Sequence, residues 1–525
     1  MTKETSRREF MRLSAGFSIL GAGAPFALQL AAAGSAAAQS AGDYKALICI
    51  FLAGGQDSNN MVLATDPGSW ERYNKARNTG NQPIALKAAG TAPNLSAGRA
   101  TPARWGGVLP ITPATPQLVP GSANEELRTF ALHPMLSPLI PMFQPPLALE
   151  GGVQEPARLA VLANVGTLIT QGTTREAYER RTVEIPRQLF SHNDQQSSWQ
   201  SGATEGAQSG WGGRLADMVR GMNSKTVFTA ISAAGNAVYL TGEHINQYAV
   251  STSGSPGVSL KFDLRDNSTL FGSRAAATAA KNVIRAGGTS SISQVYADVV
   301  GRSMSAANDI NAGVRAVAAP PAYTNPIDPY GAGNPLTPQI QTVLRIIAGA
   351  QAMGIKRQVF FVQLGGFDTH YNQNSAEPEN LARLAHSLQY LDLALKNVNG
   401  VDMRANVTAF TASDFSRTFA TNGSGTDHAW GGHHFIWGGA VNGGDMFGQY
   451  PTLGLDDASK SFRNPNMTDG HMIPTTSVDQ YGATLGRWFG VDGSNLATVF
   501  PNLANFNQST HDLGFMKSGA PASRG

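Results

Sequence analysis

The sequence predicts an α/β fold: a mostly parallel central sheet flanked by helices, with long loops and insertions. One observation is a set of apolar runs of strand length that end at once in glycine or aspartate. These are "ALICIFLAGGQD" (46–57), "RLAVLANVG" (158–166), "QVFFVQLGGFD" (358–368) and "NVTAFTASD" (406–414). Runs that are apolar at successive positions bury both faces, as strands of parallel sheets do. The other observation is the helical patterning between some of them, since alternating helix and strand is the signature of this class.

Each element has its local reason. In "LARLAHSLQYLDLALKNV" the residues Leu381, Leu384, Leu388, Leu391, Leu395 and Val398 recur at spacings of three and four, which makes one apolar stripe and leaves His386 on the polar, solvated side. "TPQIQTVLRIIAGAQAMG" reads as a helix capped by Thr337, with Pro338 at its first position and its end near Gly354. Residues 77–125 are rich in Gly, Pro, Ala and Thr, and 316–335 form a proline-rich excursion; both read as long surface loops. Residues 225–335 read as an insertion, helical or mixed up to 315, within one large domain spanning 39–525.

The first 38 residues read as a leader. A paired arginine in Ser6-Arg7-Arg8-Glu9-Phe10 precedes a weakly apolar stretch broken by Gly and Pro, and then Ala36-Ala37-Ala38 ahead of Gln39. That is the order of a twin-arginine export signal with its cleavage site, so the mature chain is expected in the periplasm, with no stable membrane insertion after cleavage. Lys3, Arg7, Arg8 and Arg12 against Glu4 and Glu9 account for most of the formal charge of +3, and the remainder is nearly neutral. A neutral chain offers no electrostatic footprint for nucleic acid. The single cysteine, Cys49, excludes an internal disulfide and a thiolate cluster, so metal ligands must come from Asp, Glu, His or carbonyl oxygen.

In open α/β sheets ligands bind outside the carboxyl ends of the strands, where residues distant in sequence converge. Three strands are expected to end in aspartate there: Asp57, Asp368 (with His370) and Asp414. A lone aspartate after a strand is commonly a helix cap or turn residue. Three of them, joined by Asp427, His428, His433 and His434 on a glycine-rich stretch, point instead to a site for a divalent metal such as Zn, Mn, Mg or Ca. Ser191, beside His192, is the candidate nucleophile with His192 as base or ligand, and equally reads as a helix cap; Ser58 and Thr369 are further hydroxyls. Arg417 reads as an anion fork or as the partner of a nearby carboxylate. His133 is expected to order a turn before a helix. Trp199, Trp211, Trp430 and Trp437 fit either a core or a carbohydrate-binding cleft.

The ordered motifs "FLAGGQDSNNMV", "SHNDQQSSWQSG", "LGGFDTHYNQ", "SDFSRT" with "NGSGTDHAWGGHHFIWGGAVNGG", and "TTSVDQYGATLGRWFGV" resemble the exported bacterial family called domain of unknown function 1501, from about Lys45 to Val491. That resemblance implies a fold of the alkaline phosphatase and sulfatase superfamily, with metals at the carboxyl edge of the sheet. It implies roles as metal ligands for Asp57, Asp368, His370 and Asp414, and for a last histidine on the loop, His428 beside Asp427, with His433 and His434 as competitors for that place. It also implies a small anionic ester, or a sulfated or phosphorylated polymer, as substrate. Two departures stand out: Asp414-Phe415 occupies the place of the superfamily's Asp-His, and no Cys/Ser-x-Pro-x-Arg motif occurs. The missing histidine implies one metal, a histidine supplied from elsewhere, or a binding or assembly protein that has lost catalysis. Replacing Arg7 and Arg8 with lysine is expected to leave precursor in the cytoplasm; cell fractionation checks this, and an unchanged periplasmic yield refutes the leader.

Overall fold

The computed structural model describes residues 43–517, apart from 121–124, 148–153, 204, 251, 253–268, 271, 287, 289, 295–296, 299, 302–304, 306–316 and 322–332. The leader, and much of the proline-rich excursion, lie outside the described residues. The chain divides into two units, Met1–Tyr44 and Lys45–Gly525, and the architecture below is that of the second.

Its strands are β1 (Lys45–Leu52), β2 (Val62–Ala64), β3 (Leu109–Ile111), β4 (Phe130–Leu132), β5 (Leu159–Gly166), β6 (Ala230–Ser232), β7 (Tyr248–Ala249), β8 (Arg357–Leu364), β9 (Val407–Ser413), β10 (Gly432–Trp437), β11 (Met446–Phe447) and β12 (Thr476–Ser477). The helices that matter to the site are α1 (Ser58–Met61), α2 (Pro67–Arg77), α3 (His192–Ser201), α4 (Trp211–Val219), α5 (Leu336–Gly349), α6 (Gln373–Leu395) and α7 (Val478–Phe489).

Nine strands form one sheet in the order β11-β5-β10-β9-β1-β8-β6-β7, with β12 also pairing β5; β2, β4 and β3 make a small separate sheet. Only β10 runs against its neighbours, antiparallel to both β5 and β9. The four apolar runs are β1, β5, β8 and β9, as their patterning requires. On β1, Leu47, Cys49 and Phe51 join the core that contains Trp211 and Leu215 of α4 and Tyr481 and Leu485 of α7. The alternate residues Ala46, Ile48, Ile50 and Leu52 are as deeply buried, so β1 is covered on both faces. Each large apolar side chain buried this way contributes about 1.5–3 kcal/mol. The helix ends follow local chemistry: Ser477 and Gln480 form a capping box at the start of α7, and Gly490 closes it at φ +109°.

Register places the candidate site. Leu52 lies opposite Leu364 of β8 and Ser413 of β9, so these three parallel strands end level. Asp57, Asp368 and Asp414 therefore leave the sheet from the same edge.

Several local expectations change. Helix α5 begins at Leu336, before Thr337; Asn334 Oδ1 accepts the Leu336 N–H at 3.0 Å, which frees Thr337 to meet Ser387 instead. Helix α6 starts eight residues before Leu381 and carries Pro378 inside its first turns. His386 is buried, and its Nε2 lies 3.0 Å from the Pro321 carbonyl oxygen, because Ala318 and Pro321, ahead of α5, lie against α6 at His386 and Tyr390. Trp199, Trp211, Trp430 and Trp437 are all core residues. The segment 225–335 is not wholly an insertion, since β6 and β7 extend the sheet beyond β8. His133, by contrast, orders a turn before a helix as expected: it caps the 3₁₀ stretch Pro134–Leu139, its Nδ1 accepting the Met135 N–H at 3.0 Å.

Behind the edge of the sheet lies a buried polar cluster. Arg77, the last residue of α2, is fully buried and pairs with Asp57. Glu377 of α6 accepts from Asn60 and Gln373, and Gln373 also reaches Asp57. Burial first, and the Asp57 charge second, push the Glu377 carboxyl up to about 8. Between its ordinary value and about 8 the folded chain holds a proton that the unfolded chain has released. The stabilising contribution is thus full below the unfolded value and is lost as pH rises through the folded one. Urea unfolding of Glu377→Gln at pH 5 and pH 8 is expected to show a smaller loss of stability with rising pH than the parent; an unchanged difference contradicts this.

Candidate functional site

The loops after β1, β8 and β9 meet because glycine lets them. Gly54 sits at φ +117°, and a Cβ there would lie 2.4 Å from the Asp368 nitrogen. Gly425 is equally tight, since its Cβ would lie 2.3 Å from the Thr369 carbonyl oxygen. The stretch after β9 folds back on itself: Thr418 N–H donates to the Asp427 carbonyl, Ala429 N–H donates to Ser416, and Arg417 bridges His428. Asp414 on the outgoing arm and His428 on the returning arm are thereby brought to one place.

Three imidazoles converge there on one carboxylate oxygen. His192 Nε2 and His428 Nε2 each lie 3.5 Å from Asp368 Oδ1, and His370 Nε2 lies 3.3 Å from it. His370 Nε2 and His428 Nε2 are 2.8 Å apart. Each ring is held from behind by its other nitrogen. His192 Nδ1 donates to Asp414 Oδ2 at 2.6 Å, His370 Nδ1 to Asp427 Oδ1 at 3.0 Å, and His428 Nδ1 to the Phe190 carbonyl at 2.7 Å. These partners set the tautomers, so each Nε2 turns its lone pair toward Asp368, and His192, Asp368 and His428 have ligand atoms that all lie within 4.8 Å of one another. The Nε2 of His192 is buried with no hydrogen-bond partner. Phe415 packs beneath, its ring centroid 4.4 Å from that of His428 and 4.9 Å from that of His192.

The electrostatics are mixed. Partial burial raises the Asp368 carboxyl, but the hydrogen bond and charge of Arg417, with His192 and His370, outweigh it and hold the group below its ordinary range. The Asp414 hydrogen bond raises His192 against the effect of burial. His428 is lowered, chiefly by burial, and stays neutral.

The sequence-predicted residues divide into three groups. Asp368, His370 and His428 are in the cluster, and His192 joins them as a converging imidazole. Asp414 and Asp427 stand one layer out: the buried Asp414 accepts from His192, Gln196 and the Gly54 N–H, while Asp427 orients His370. The others are placed elsewhere. Both oxygens of Asp57 are taken by Arg77, Gln373 and the Asn59 N–H. His433 and His434 sit on the buried strand β10, where burial lowers both to about 3; His433 stacks on Tyr450 and His434 meets Trp199 edge-on. Ser191 caps α3, its hydroxyl donating to Asp194 at 2.8 Å. Ser58 bonds Gln56 and the His433 N–H, and Thr369 faces Gln373. Arg417 is fully buried and donates to the carbonyls of Gly55, Gly54 and Thr426 and to Asp368, so its fork serves the protein.

Sequence reasoning missed Gln196 and the Phe190 carbonyl. The first had a signal, because His192 and Gln196 are four apart and share one face of α3; a backbone carbonyl has none. Asp57→Ala is expected to cost about 2–4 kcal/mol, since Glu377 can ionise beside Arg77 and recover part of the roughly 3–5 kcal/mol penalty of breaking a buried pair. His370→Ala, with 39% of its side chain exposed, is expected to cost less than about 1 kcal/mol. Urea denaturation of both variants separates the buried scaffold from the cluster, and equal costs would contradict the division.

No curated protein matches the chain. A family model described as protein of unknown function (DUF1501) matches residues 44–500. The chain that carries this histidine and aspartate cluster belongs to the DUF1501 family.

Proposed function

We propose that this is an exported, metal-dependent hydrolase that cleaves an ester of phosphoric or sulfuric acid at His192, Asp368, His370 and His428. One observation carries the reading: three imidazole lone pairs are aimed at one carboxylate oxygen, two of them 2.8 Å apart. Facing lone pairs at that distance repel unless a cation or proton lies between them. Histidine ligands whose second nitrogen is held by a carboxylate or carbonyl are the usual arrangement at metal centres. The imidazole-rich set favours Zn or Mn over Mg or Ca, which prefer oxygen ligands.

When bound, such an ion polarises a phosphoryl or sulfuryl oxygen and lowers the pKa of a water. The rest of the work belongs to the chain. Asp414, Asp427 and the Phe190 carbonyl keep the rings in register, and Phe415 excludes water from beneath. The commitment of the Ser191 hydroxyl to Asp194 supports water, not serine, as the nucleophile. The position of the cluster at the carboxyl edge of a largely parallel sheet supports a distant likeness to the alkaline phosphatase and sulfatase superfamily. His192 then takes the role of the histidine that Phe415 displaces. The leader supports a periplasmic site of action, on a small ester or a sulfated or phosphorylated polymer.

The second reading, a non-catalytic binding or assembly protein, is favoured by Arg417, whose fork is turned away from any substrate. Activity toward a panel of aryl phosphates and sulfates separates the two.

Metal analysis after loading with Zn or Mn and dialysis is expected to find bound metal in the parent. His192→Ala, Asp368→Ala and His428→Ala should lose it, and Asp414→Asn should bind about 10–100-fold more weakly. Because Asp414 raises His192, protons compete for that ligand from a pH above the ordinary imidazole value, so acidification should release the metal early. Parent-like metal content in all four variants sinks the assignment.

A further inference from the structure

We infer that the centre holds one divalent ion and takes tetrahedral esters carrying a single negative charge, phosphodiesters or sulfate monoesters, in preference to phosphate monoesters. This rests on the hydrolase reading and narrows it.

The ligand geometry argues for one ion. His192, Asp368 and His428 present ligand atoms that all lie within 4.8 Å of one another, each Nε2 3.5 Å from Asp368 Oδ1, and His370 Nε2 stands beside them, 3.3 Å from that oxygen and 2.8 Å from His428 Nε2. Bonds of about 2.0–2.1 Å in a tetrahedral site put neighbouring ligand atoms about 3.3 Å apart, so these three ligands suit a single ion with its fourth position open to water, substrate or His370. Among the described residues no second group of three converging His, Asp or Glu ligands is present. Asp57 is held by Arg77 and Gln373, Asp414 by His192, Gln196 and Gly54, and Asp427 by His370.

The charge balance then sets the substrate. Asp368, Asp414 and Asp427 bring three negative charges, and Arg417 with one divalent ion brings three positive ones. Asp57 and Arg77 cancel behind them. The charged groups that act on His192, Asp368 and His428 are Arg417, Asp414 and the cluster's own members. A phosphate monoester is largely dianionic at neutral pH, with a second pKa of about 6, and its transfer calls for cationic clamps or a second metal. Neither is offered, because the guanidinium of Arg417 is spent on Gly54, Gly55, Thr426 and Asp368. Asp427, with 58% of its side chain exposed, stands at the rim and repels a second negative charge. A phosphodiester or a sulfate monoester has only one.

In the step itself, a water oxygen bonds to phosphorus or sulfur as the bond to the leaving oxygen breaks. The leaving oxygen keeps that electron pair and takes a proton from solvent, the attacking water gives its protons up to solvent, and the products are an alcohol or phenol with a phosphate monoester or sulfate. No oxidant or reductant is involved.

The test uses the full-length mature protein loaded with Zn or Mn. Metal content is measured, and kcat/KM is determined for bis(4-nitrophenyl) phosphate, 4-nitrophenyl sulfate and 4-nitrophenyl phosphate. One ion per chain, with at least one monoanionic ester favoured over the monoester by about tenfold or more, is the expected result; which of the two is hydrolysed distinguishes phosphodiesterase from sulfatase. Asp427→Asn removes one negative charge from the rim and should shift the ratio toward the monoester by about threefold, the scale of one charge acting through water at this range. A purely structural loss would lower all three activities together and leave the ratio unchanged. Two ions per chain, a preference for the monoester, or an unmoved ratio in Asp427→Asn overturns the inference while leaving the hydrolase reading in place. Turnover of none of the three by metal-loaded protein removes both.

Discussion

The site depends on a single buried guanidinium. Arg417 lies wholly out of solvent and binds the Gly54 and Gly55 carbonyls after β1, the Thr426 carbonyl on the returning arm after β9, and the Asp368 carboxylate after β8. Burying this charge is costly unless every part of the fork is engaged. The three loops therefore occupy positions set by its planar geometry. An arginine at that place acts as the pin that holds the cluster together, and its fork is left with no free face for a ligand anion.

A second pair of opposite charges works in the same way one layer further in. Arg77 and Asp57 are both buried, and Arg77 also donates to the Phe419 and Thr418 carbonyls. The aspartate after β1, expected from the sequence to be a metal ligand, is part of the scaffold. Gln373 and Thr426 continue the network, Thr426 donating to Gln373 Oε1 at 2.8 Å. The hairpin that carries Asp427 and His428 is thus bonded to α6, which begins just after His370. Positions of the imidazoles follow from charges that never touch the cluster.

Orientation is divided between two kinds of partner. Carboxylates hold His192 and His370, while a backbone carbonyl holds His428; the Asp414 hydrogen bond makes His192 more basic, whereas burial lowers His428 despite its carbonyl partner. A carboxylate partner strengthens an imidazole as a ligand but also as a base. In the proposed metal centre, affinity and sensitivity to acid would in this way be two results of one contact.

The sequence by itself determined the fold class and the edge of the sheet. Continuous apolar runs can be satisfied only by strands covered on both faces, and parallel strands place all their carboxyl ends together, so Asp57, Asp368 and Asp414 were legible as neighbours. It also marked His370 and His428, through the glycines that allow their loops to approach. What each aspartate does was decided by tertiary structure alone. Asp57 meets Arg77, and Asp414 turns toward a helix that begins more than two hundred residues earlier, because long-range packing chooses the partner of a buried charge and local sequence does not. For the same reason His433 and His434, which look like ligands in a glycine-rich stretch, belong to a core strand: burial on β10 outweighs the polarity that made them appear exposed. His192 moved in the opposite direction, from a residue beside a candidate nucleophile to a member of the cluster, because α3 is docked with its first residue over Asp368 and only the folded chain brings those two positions together.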